Sequence, residues 1–282
     1  MNFTRTQFAA AIAAAGLIAP AAALAATIDG GPGGERLRGT NVADTINGNG
    51  GNDRILGFAG ADTLNGGPGN DRVSGGRGND LIAGVQGNDR LDGGAGDDTI
   101  SGDANGTGDL TSFDRIFGAG GNDTLRGGDS ADRIVGGSGN DASAGENGND
   151  RMSGSSGDDL QDGGAGNDTI YANAGQDVSI GGDGNDALWA LARVDVVPGP
   201  GGAVDTAADK LDGGNGDDVF RTRDGEADSI TCGAGTDRAF LDEVDVIADA
   251  TPENANGSCE IVQRKAPRSK DAKSEDAHDK QS

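Results

Sequence analysis

Residues 75–100 read GGRGNDLIAGVQGNDRLDGGAGDDTI, and this stretch decides the fold of the chain. Glycine, Asp and Asn make up most of it, and it contains no aromatic residue. A large apolar residue nevertheless returns at every ninth position, at Ile82, Leu91 and Ile100. A fixed period of this kind is the sequence signature of a repeat architecture, in which stacked units build one continuous core.

The nonapeptide pattern G-G-x-G-x-D-x-U-x, in which U is a large apolar residue, continues along most of the chain. Residues 66–74 read GGPGNDRVS, and residues 232–240 still read CGAGTDRAF. Twenty units fit between residues 39 and 240 if two insertions and one extra residue are allowed, and all twenty have Asp at the sixth position. The glycines fit turns that need positive φ, and x-U-x fits a three-residue strand with its central side chain inward.

The composition of the chain, taken alone, is typical of a disordered protein. The 282 residues include 54 Gly and only 3% aromatic residues, and the formal net charge is −25. So few large apolar residues cannot fill an ordinary hydrophobic core. The negative charge argues against nucleic acid or an anionic membrane surface as a partner, because phosphate groups would be repelled. Multivalent cations are the partners that suit such a chain.

The repeats resemble the RTX, or hemolysin-type, calcium-binding family over residues 39–240. The resemblance implies an all-β parallel β-roll, in which two nonapeptides form one coil and each G-G-x-G-x-D turn binds Ca²⁺. It also implies that the ions lie between turns n and n+2, with turn carbonyls completing the shell. One buried aliphatic side chain per nine residues offsets little of the entropy of ordering them, so cation binding is expected to stabilise the fold. A metal-free acidic linker is the alternative, but a linker has no reason to keep U at every ninth position.

The resemblance assigns the calcium side-chain ligands to the sixth-position aspartates. Mg²⁺ is expected to compete poorly, because it retains its waters and requires strict octahedral geometry. The predicted ligands are Asp44, Asp53, Asp62, Asp71, Asp80, Asp89, Asp98, Asp114, Asp123, Asp132, Asp141, Asp150, Asp159, Asp168, Asp177, Asp186, Asp209, Asp218, Asp228 and Asp237.

The first 25 residues have the features of a secretory signal peptide. A short segment containing Arg5 precedes an Ala-rich apolar stretch, and the tripeptide ALA at 23–25 is an A-x-A-like cleavage site. A transmembrane anchor is the weaker alternative, because Pro20 leaves this stretch short of a confident span of about 20 apolar residues. No later stretch is apolar enough to cross a bilayer. The expected location is extracellular, with the cell surface or the periplasm as alternatives.

The remaining boundaries follow from where the repeat pattern begins, breaks and ends. The charged C-terminal end has no apolar periodicity and is expected to be disordered. In chain order, the predicted segments are the signal peptide (1–25), a lead-in (26–38), the β-roll (39–240, with insertions near 103–112 and 190–208), a cap (241–263) and a disordered tail (264–282).

The two cysteines, Cys232 and Cys259, are interpreted in the light of export. An oxidising compartment favours a disulfide between them, with two free thiols as the alternative. Such a bond would fasten the cap over the last coil and cover an open sheet edge. A metal role is not expected, because the sequence has no CxxC motif and its only histidine is His278.

Three repeats have a polar residue where U is expected, at Ser143, Gln161 and Ser179. Alternate repeats stack on the same sheet, so these residues are predicted to lie together inside the roll. One hypothesis is that the same sheet carries apolar residues outside, including Val178 and Ile180, under the insertion near 190–208. The alternative is a degenerate, weakly filled part of the roll.

No catalytic constellation emerges from the sequence. It has no HExxH and no GxSxG motif, and its single histidine lies in the predicted tail. We therefore expect no enzyme activity. The favoured function is a secreted calcium-binding protein with a structural, surface or extracellular-matrix-type role. The alternative is a calcium-dependent module that binds an extracellular polysaccharide or a cell-surface protein, similar to the repeat modules attached to epimerases and lipases.

Overall fold

A computed structural model describes residues 24–103, 112–190, 208–252 and 254–265 of the chain. All regular secondary structure in these ranges is β-strand. None of the described residues belongs to a helix that could cross a bilayer. The strands are β1 (Thr27–Asp29), β2 (Arg36–Arg38), β3 (Thr45–Asn47), β4 (Arg54–Ala59), β5 (Thr63–Pro68), β6 (Arg72–Arg77), β7 (Leu81–Gln86), β8 (Arg90–Ala95), β9 (Thr99–Asp103), β10 (Arg115–Gly120), β11 (Thr124–Asp129), β12 (Arg133–Ser138), β13 (Ala142–Asn147), β14 (Arg151–Ser156), β15 (Leu160–Ala165), β16 (Thr169–Ala174), β17 (Val178–Asp183), β18 (Ala187–Trp189), β19 (Lys210–Asn215), β20 (Val219–Arg221), β21 (Ser229–Thr231), β22 (Arg238–Leu241), β23 (Val246–Ile247) and β24 (Ile261–Arg264).

The strands form two parallel sheets of twelve strands each. The odd-numbered strands form the odd sheet, and the even-numbered strands form the even sheet. Each strand pairs with the strand two places away in the chain, so that Ile82 of β7 lies between Leu64 of β5 and Ile100 of β9. Two successive strands therefore make one coil, and the prediction of an all-β parallel β-roll is confirmed.

The core contains one inward side chain from each strand. Ile82, Leu91 and Ile100 are at most 1% exposed, which is the arrangement that the nine-residue period predicts. Two buried clusters result, the first from Ile46 to Ile170 and the second from Leu188 to the C-terminal end of the roll. Because stacked repeats bury these side chains against one another, the two clusters run along the axis of the roll.

Most strands have six residues rather than the predicted three. Strand β6, for example, has the sequence RVSGGR and continues beyond the x-U-x segment into the next repeat. Its Gly76 and Arg77 pair with Gly94 and Ala95 of β8. The glycines that begin a repeat thus extend the parallel ladder before the chain turns, which sequence periodicity alone does not reveal.

The number of strands also exceeds the predicted number of repeats. Twenty repeats account for β3 to β22, and the four additional strands lie at the two ends. Inward residues of these end strands, Ile28, Leu37, Ile247 and Val262, pack against the core clusters. Three of the end strands keep an inward apolar residue without the glycine pattern. Strand β2 follows GGPGGE at residues 30–35, which has the glycines but Glu35 in place of the sixth-position Asp.

The polar inward residues separate the two core clusters. Ser143, Gln161 and Ser179 are buried at successive levels of the odd sheet, in β13, β15 and β17. The Ser179 hydroxyl donates to Gln161 Oε1 at 3.3 Å. On the outer face, Val178 and Ile180 are only partly buried. The insertion proposed to cover them lies almost entirely outside the described residues.

Candidate metal centre

The twenty sixth-position aspartates all lie in turns that precede strands, and each is at most 3% exposed. Carboxylates are seldom so fully buried unless they are paired or coordinate a metal. Since alternate repeats stack, the aspartates form two rows, one before the odd sheet and one before the even sheet. The structure therefore brings all twenty predicted residues into two continuous lines.

One oxygen of each aspartate fastens the neighbouring turn. Asp98 Oδ1 accepts a hydrogen bond from the Asp80 N–H at 2.8 Å, and Asp80 Oδ1 accepts one from the Asp62 N–H at 2.8 Å. The pattern continues across the first insertion, where the Asp89 N–H donates to Asp114 Oδ1 at 2.7 Å. These bonds fix the rotamer of each carboxylate and so determine where its second oxygen points.

The second oxygen is buried without a hydrogen-bond partner within the described residues for sixteen of these aspartates. An unpaired buried carboxylate oxygen is strongly unfavourable unless a cation neutralises it. Asp44 differs, because the Thr40 hydroxyl donates to its Oδ2 at 3.0 Å. The sixteen residues are Asp53, Asp62, Asp71, Asp80, Asp89, Asp98, Asp123, Asp132, Asp141, Asp150, Asp159, Asp168, Asp186, Asp218, Asp228 and Asp237.

The first glycine of each repeat leaves space beside this oxygen. A Cβ built on Gly127 would lie 2.7 Å from Asp132 Oδ2 and 2.7 Å from the carbonyl oxygen of Gly145, which belongs to the turn of repeat n+2. Side-chain and carbonyl oxygens of two stacked turns thus approach a place that glycine keeps free in most repeats, although Ala172 and Cys232 occupy the same position in two of them. A set of oxygen donors from flexible turns is the chemistry that Ca²⁺ prefers. The residues present fit a calcium ion.

Burial raises the pKa of many of these carboxyls when no cation is bound. For Asp89 the pKa rises to about 8, chiefly through burial and then through the charges of Asp114 and Asp71. Burial likewise raises the pKa of Asp132 and Asp159 to about 8, with smaller contributions from neighbouring carboxylates. The folded roll therefore resists ionisation of its own turns at neutral pH, and a bound cation removes that penalty.

The same ladder contains two acids that the sequence interpretation missed. Asp245 Oδ1 accepts the Asp228 N–H at 3.2 Å, and Glu260 Oε2 accepts the Asp237 N–H at 2.8 Å. Each lies two residues before the inward residue of an end strand, Ile247 or Val262. That D/E-x-U spacing was the available signal, but the preceding glycines are absent.

Three carboxylates converge where one repeat carries its extra residue. Asp224, Glu226 and Asp228 each offer an oxygen, and these oxygens lie within 4.8 Å of one another. Asp228 is fully buried and its Oδ2 has no hydrogen-bond partner among the described residues. Burial, followed by the charge of Asp224, raises the pKa of Asp228 to about 8. The cluster holds more side-chain charge than a regular turn. Of its three residues, the sequence analysis predicted only Asp228 as a calcium ligand.

A second, exposed ladder explains why Asn or Asp often precedes the buried aspartate. The Asn88 N–H donates to Asn70 Oδ1 at 2.8 Å, and the Asn70 N–H donates to Asn52 Oδ1 at 2.8 Å. These bonds connect turns n and n+2 on the solvent side of the buried row. The sequence pattern had left this fifth position unassigned.

The structure joins Cys232 and Cys259 by a disulfide with a Cα–Cα distance of 5.2 Å. Cys232 begins the last regular repeat, and Cys259 lies two residues before β24. The adjacent Ser258 hydroxyl accepts the Cys232 N–H at 3.0 Å. The disulfide thus ties the final strand of the even sheet to the end of the roll.

Comparison with known families gives one match. The model for the RTX calcium-binding nonapeptide repeat (four copies) matches more than half of the chain. No curated protein matches the sequence. The matched segments are 29–57, 56–91, 74–105, 111–142, 144–161, 162–188 and 205–226.

Proposed function

Because the chain belongs to the RTX calcium-binding nonapeptide repeat family, we propose that it is a secreted protein whose β-roll folds as several calcium ions bind between stacked turns. The observation that carries the proposal is the set of sixteen buried Asp Oδ2 atoms, in two rows, that have no hydrogen-bond partner within the described residues. A roll with so many buried carboxylates gains stability only when positive charge enters the turns.

The two carboxylate oxygens of each sixth-position aspartate have different roles. Oδ1 of each aspartate holds the turn of the preceding coil, as Asp98 holds Asp80. Oδ2, together with turn carbonyls such as that of Gly145 beside Asp132, forms the proposed ligand set. A bound calcium ion supplies the positive charge that offsets the desolvated carboxylates. Asp245 and Glu260 take the place of the sixth-position aspartate at the C-terminal end.

Export fits this chemistry, because weak calcium sites fill only where the ion is abundant. Extracellular calcium modules have dissociation constants of about 0.1–1 mM. A chain with such sites remains unfolded where calcium is scarce and folds where the ion is plentiful, since binding to the folded state shifts the equilibrium. The proposed signal peptide (1–25) and the Cys232–Cys259 disulfide both suit that route.

The proposed role is structural or surface-associated and not enzymatic. The described part of the chain is almost entirely repeat, and its carboxylates are used as turn ladders. The alternative, a calcium-dependent module that binds polysaccharide or a cell-surface protein, gains support from the outer face of the even sheet.

Equilibrium dialysis followed by metal analysis tests the proposal. We expect several calcium ions per chain at millimolar calcium, and no replacement of them by magnesium at the same concentration. A stoichiometry of one calcium or fewer per chain would contradict it.

A further inference from the structure

Seven arginines lie in register along the outer face of the even sheet. They occupy the same position in seven successive strands of that sheet, and each is exposed. Parallel pairing places each directly beside the next, one strand spacing of about 4.8 Å away, so the row spans about 29 Å. The row consists of Arg36, Arg54, Arg72, Arg90, Arg115, Arg133 and Arg151.

Folding does not explain this row. Like charges directly opposite one another on neighbouring strands are destabilising. None of the seven forms an ion pair within the described residues. The ion pair found in that part of the chain joins Arg126 and Glu146 of the odd sheet. In each of these strands, the residue two positions after the arginine lies on the same outer face. Among these seven residues, one is acidic, Asp92. The roll thus keeps a concentrated positive stripe although the net charge of the whole chain is −25.

The odd sheet shows that the repeat does not require arginine at this position. The corresponding outward residues of its first six strands are five threonines and a leucine, and Thr45 pairs in register with Thr27 and Thr63. A nine-residue pattern would give both faces the same chemistry. The chain instead alternates basic and neutral residues with a period of two repeats, so that the positive charge is collected on one face.

Aromatic rings hold several of these guanidinium groups in place. Arg90 lies 4.4 Å from the Phe117 ring centroid, and Arg151 lies 5.0 Å from that of Tyr171. The row then leads into Tyr171 and Trp189, whose rings are stacked with centroids 5.7 Å apart. Guanidinium groups oriented by cation–π contacts lose less freedom when they bind a ligand.

We propose that this arginine row binds a linear acidic polysaccharide that carries carboxylates along its length. Arginine pairs with carboxylates through two parallel hydrogen bonds, and a flat stripe of regularly spaced arginines fits an extended polyanion. The phosphates of duplex DNA advance by about 3.4 Å per strand along the helix axis and wind around it, so they do not follow a straight row with a spacing of about 4.8 Å. The proposal rests on the proposed function, because only the folded roll aligns the arginines.

Binding of short oligogalacturonates, measured by titration calorimetry in excess calcium, tests the proposal. Short oligomers avoid gelation of the polyanion by calcium. The triple variant R54Q/R72Q/R133Q should bind about 10- to 100-fold more weakly than the unchanged chain, since each exposed pair contributes modestly. These three positions are chosen because Arg90, Arg115 and Arg151 also contact rings. The matched control T45Q/T63Q/T124Q changes the same strand position on the odd sheet and should leave affinity unchanged.

Several results would overturn the inference. One is a folded unchanged chain that does not bind the oligomers, and another is equal weakening in the threonine control. Equal affinity for neutral dextran, for single-stranded DNA or for anionic vesicles would also overturn it. Circular dichroism on the same samples separates the two proposals, because absence of calcium-induced folding contradicts the proposed function instead. If the glutamine variant does not fold, R54K/R72K/R133K decides: reduced affinity supports bidentate arginine contacts, and unchanged affinity refutes them.

Discussion

Asp98 Oδ1 accepts a hydrogen bond of 2.8 Å from the backbone N–H of Asp80, which lies one coil earlier in the same row. The bond uses one carboxylate oxygen to hold the neighbouring turn and leaves Oδ2 buried and without a hydrogen-bond partner within the described chain. Repetition of this relationship along both rows turns a glycine-rich chain into an ordered array of oxygen donors.

Neutralising a buried aspartate in the middle of the roll should weaken calcium-dependent stability. D98N keeps an oxygen for the Asp80 N–H and replaces the charged Oδ2, so we expect the free energy of unfolding in calcium to fall by about 1–3 kcal/mol. The control D97N changes the exposed neighbour, which accepts the Asn122 N–H and for which Asn is the common equivalent. D97N should stay within about 0.5 kcal/mol. Urea unfolding in excess calcium measures both; equal effects would refute the role of Oδ2.

Filling the space beside the carboxylate should also destabilise the roll. A Cβ on Gly127 would meet Asp132 Oδ2 and the Gly145 carbonyl at 2.7 Å, so G127A should lower stability in calcium by about 1–3 kcal/mol. A Cβ on Gly50 would find its nearest atom at 3.8 Å. G50A should therefore change stability by less than about 0.5 kcal/mol. Thermal unfolding of the two variants in calcium compares them, and a tolerated G127A would argue against a ligand site there.

Without calcium, acid should favour the folded roll and neutral pH should disfavour it. The pKa of Asp89 and Asp159 is raised by burial to about 8, above the value of about 3.9 in an unfolded chain. The neutral form is thus favoured on folding, and the stability is lost as pH rises from about 4 through 8. In calcium the sign reverses, because binding needs the ionised form.

Circular dichroism in EGTA between about pH 5 and pH 8 measures this effect while avoiding the isoelectric point near 4.1. We expect β signal to decrease as pH rises in EGTA. The calcium concentration at half-folding should fall over the same interval. A calcium-free signal that does not change with pH would show that the buried carboxyls do not control folding.

The acidic cluster near the C-terminal end should add calcium affinity. D224N/E226Q removes two charges beside the buried Asp228, so we expect loss of about one bound ion per chain because calcium affinity depends on ligand charge. The control D217N/E243Q removes two exposed charges outside the cluster. Terbium luminescence titrations would compare the two, and identical titrations would mean that the cluster binds no ion.

The buried rows could be predicted because one periodic constraint fixes them. Each inward residue, such as Leu91, and each sixth-position Asp, such as Asp89, follows directly from the nine-residue spacing and the parallel stacking that it imposes. The all-β roll follows from the same spacing. Local pattern and global fold agree here, as they do in repeat proteins generally.

Other features could not be predicted from a nine-residue pattern. Asp245 and Glu260 do not fit the nine-residue pattern, because their turns lack its glycines. At this end of the roll no further regular turn packs against them. The arginine row requires comparison of every second repeat, since Arg72 and Arg90 become neighbours only after two strands form one coil. The six-residue strands depend on backbone pairing, which side-chain periodicity does not report.

Far-UV circular dichroism of the purified mature chain at pH 7.5, in excess calcium and in EGTA, measures directly whether calcium completes the fold. We expect strong parallel-β signal in calcium, and a largely disordered spectrum in EGTA that returns to the folded form when calcium is restored. Magnesium at the same concentration should not restore it. A strong β spectrum in EGTA that calcium leaves unchanged would contradict the claim that the ion completes the fold.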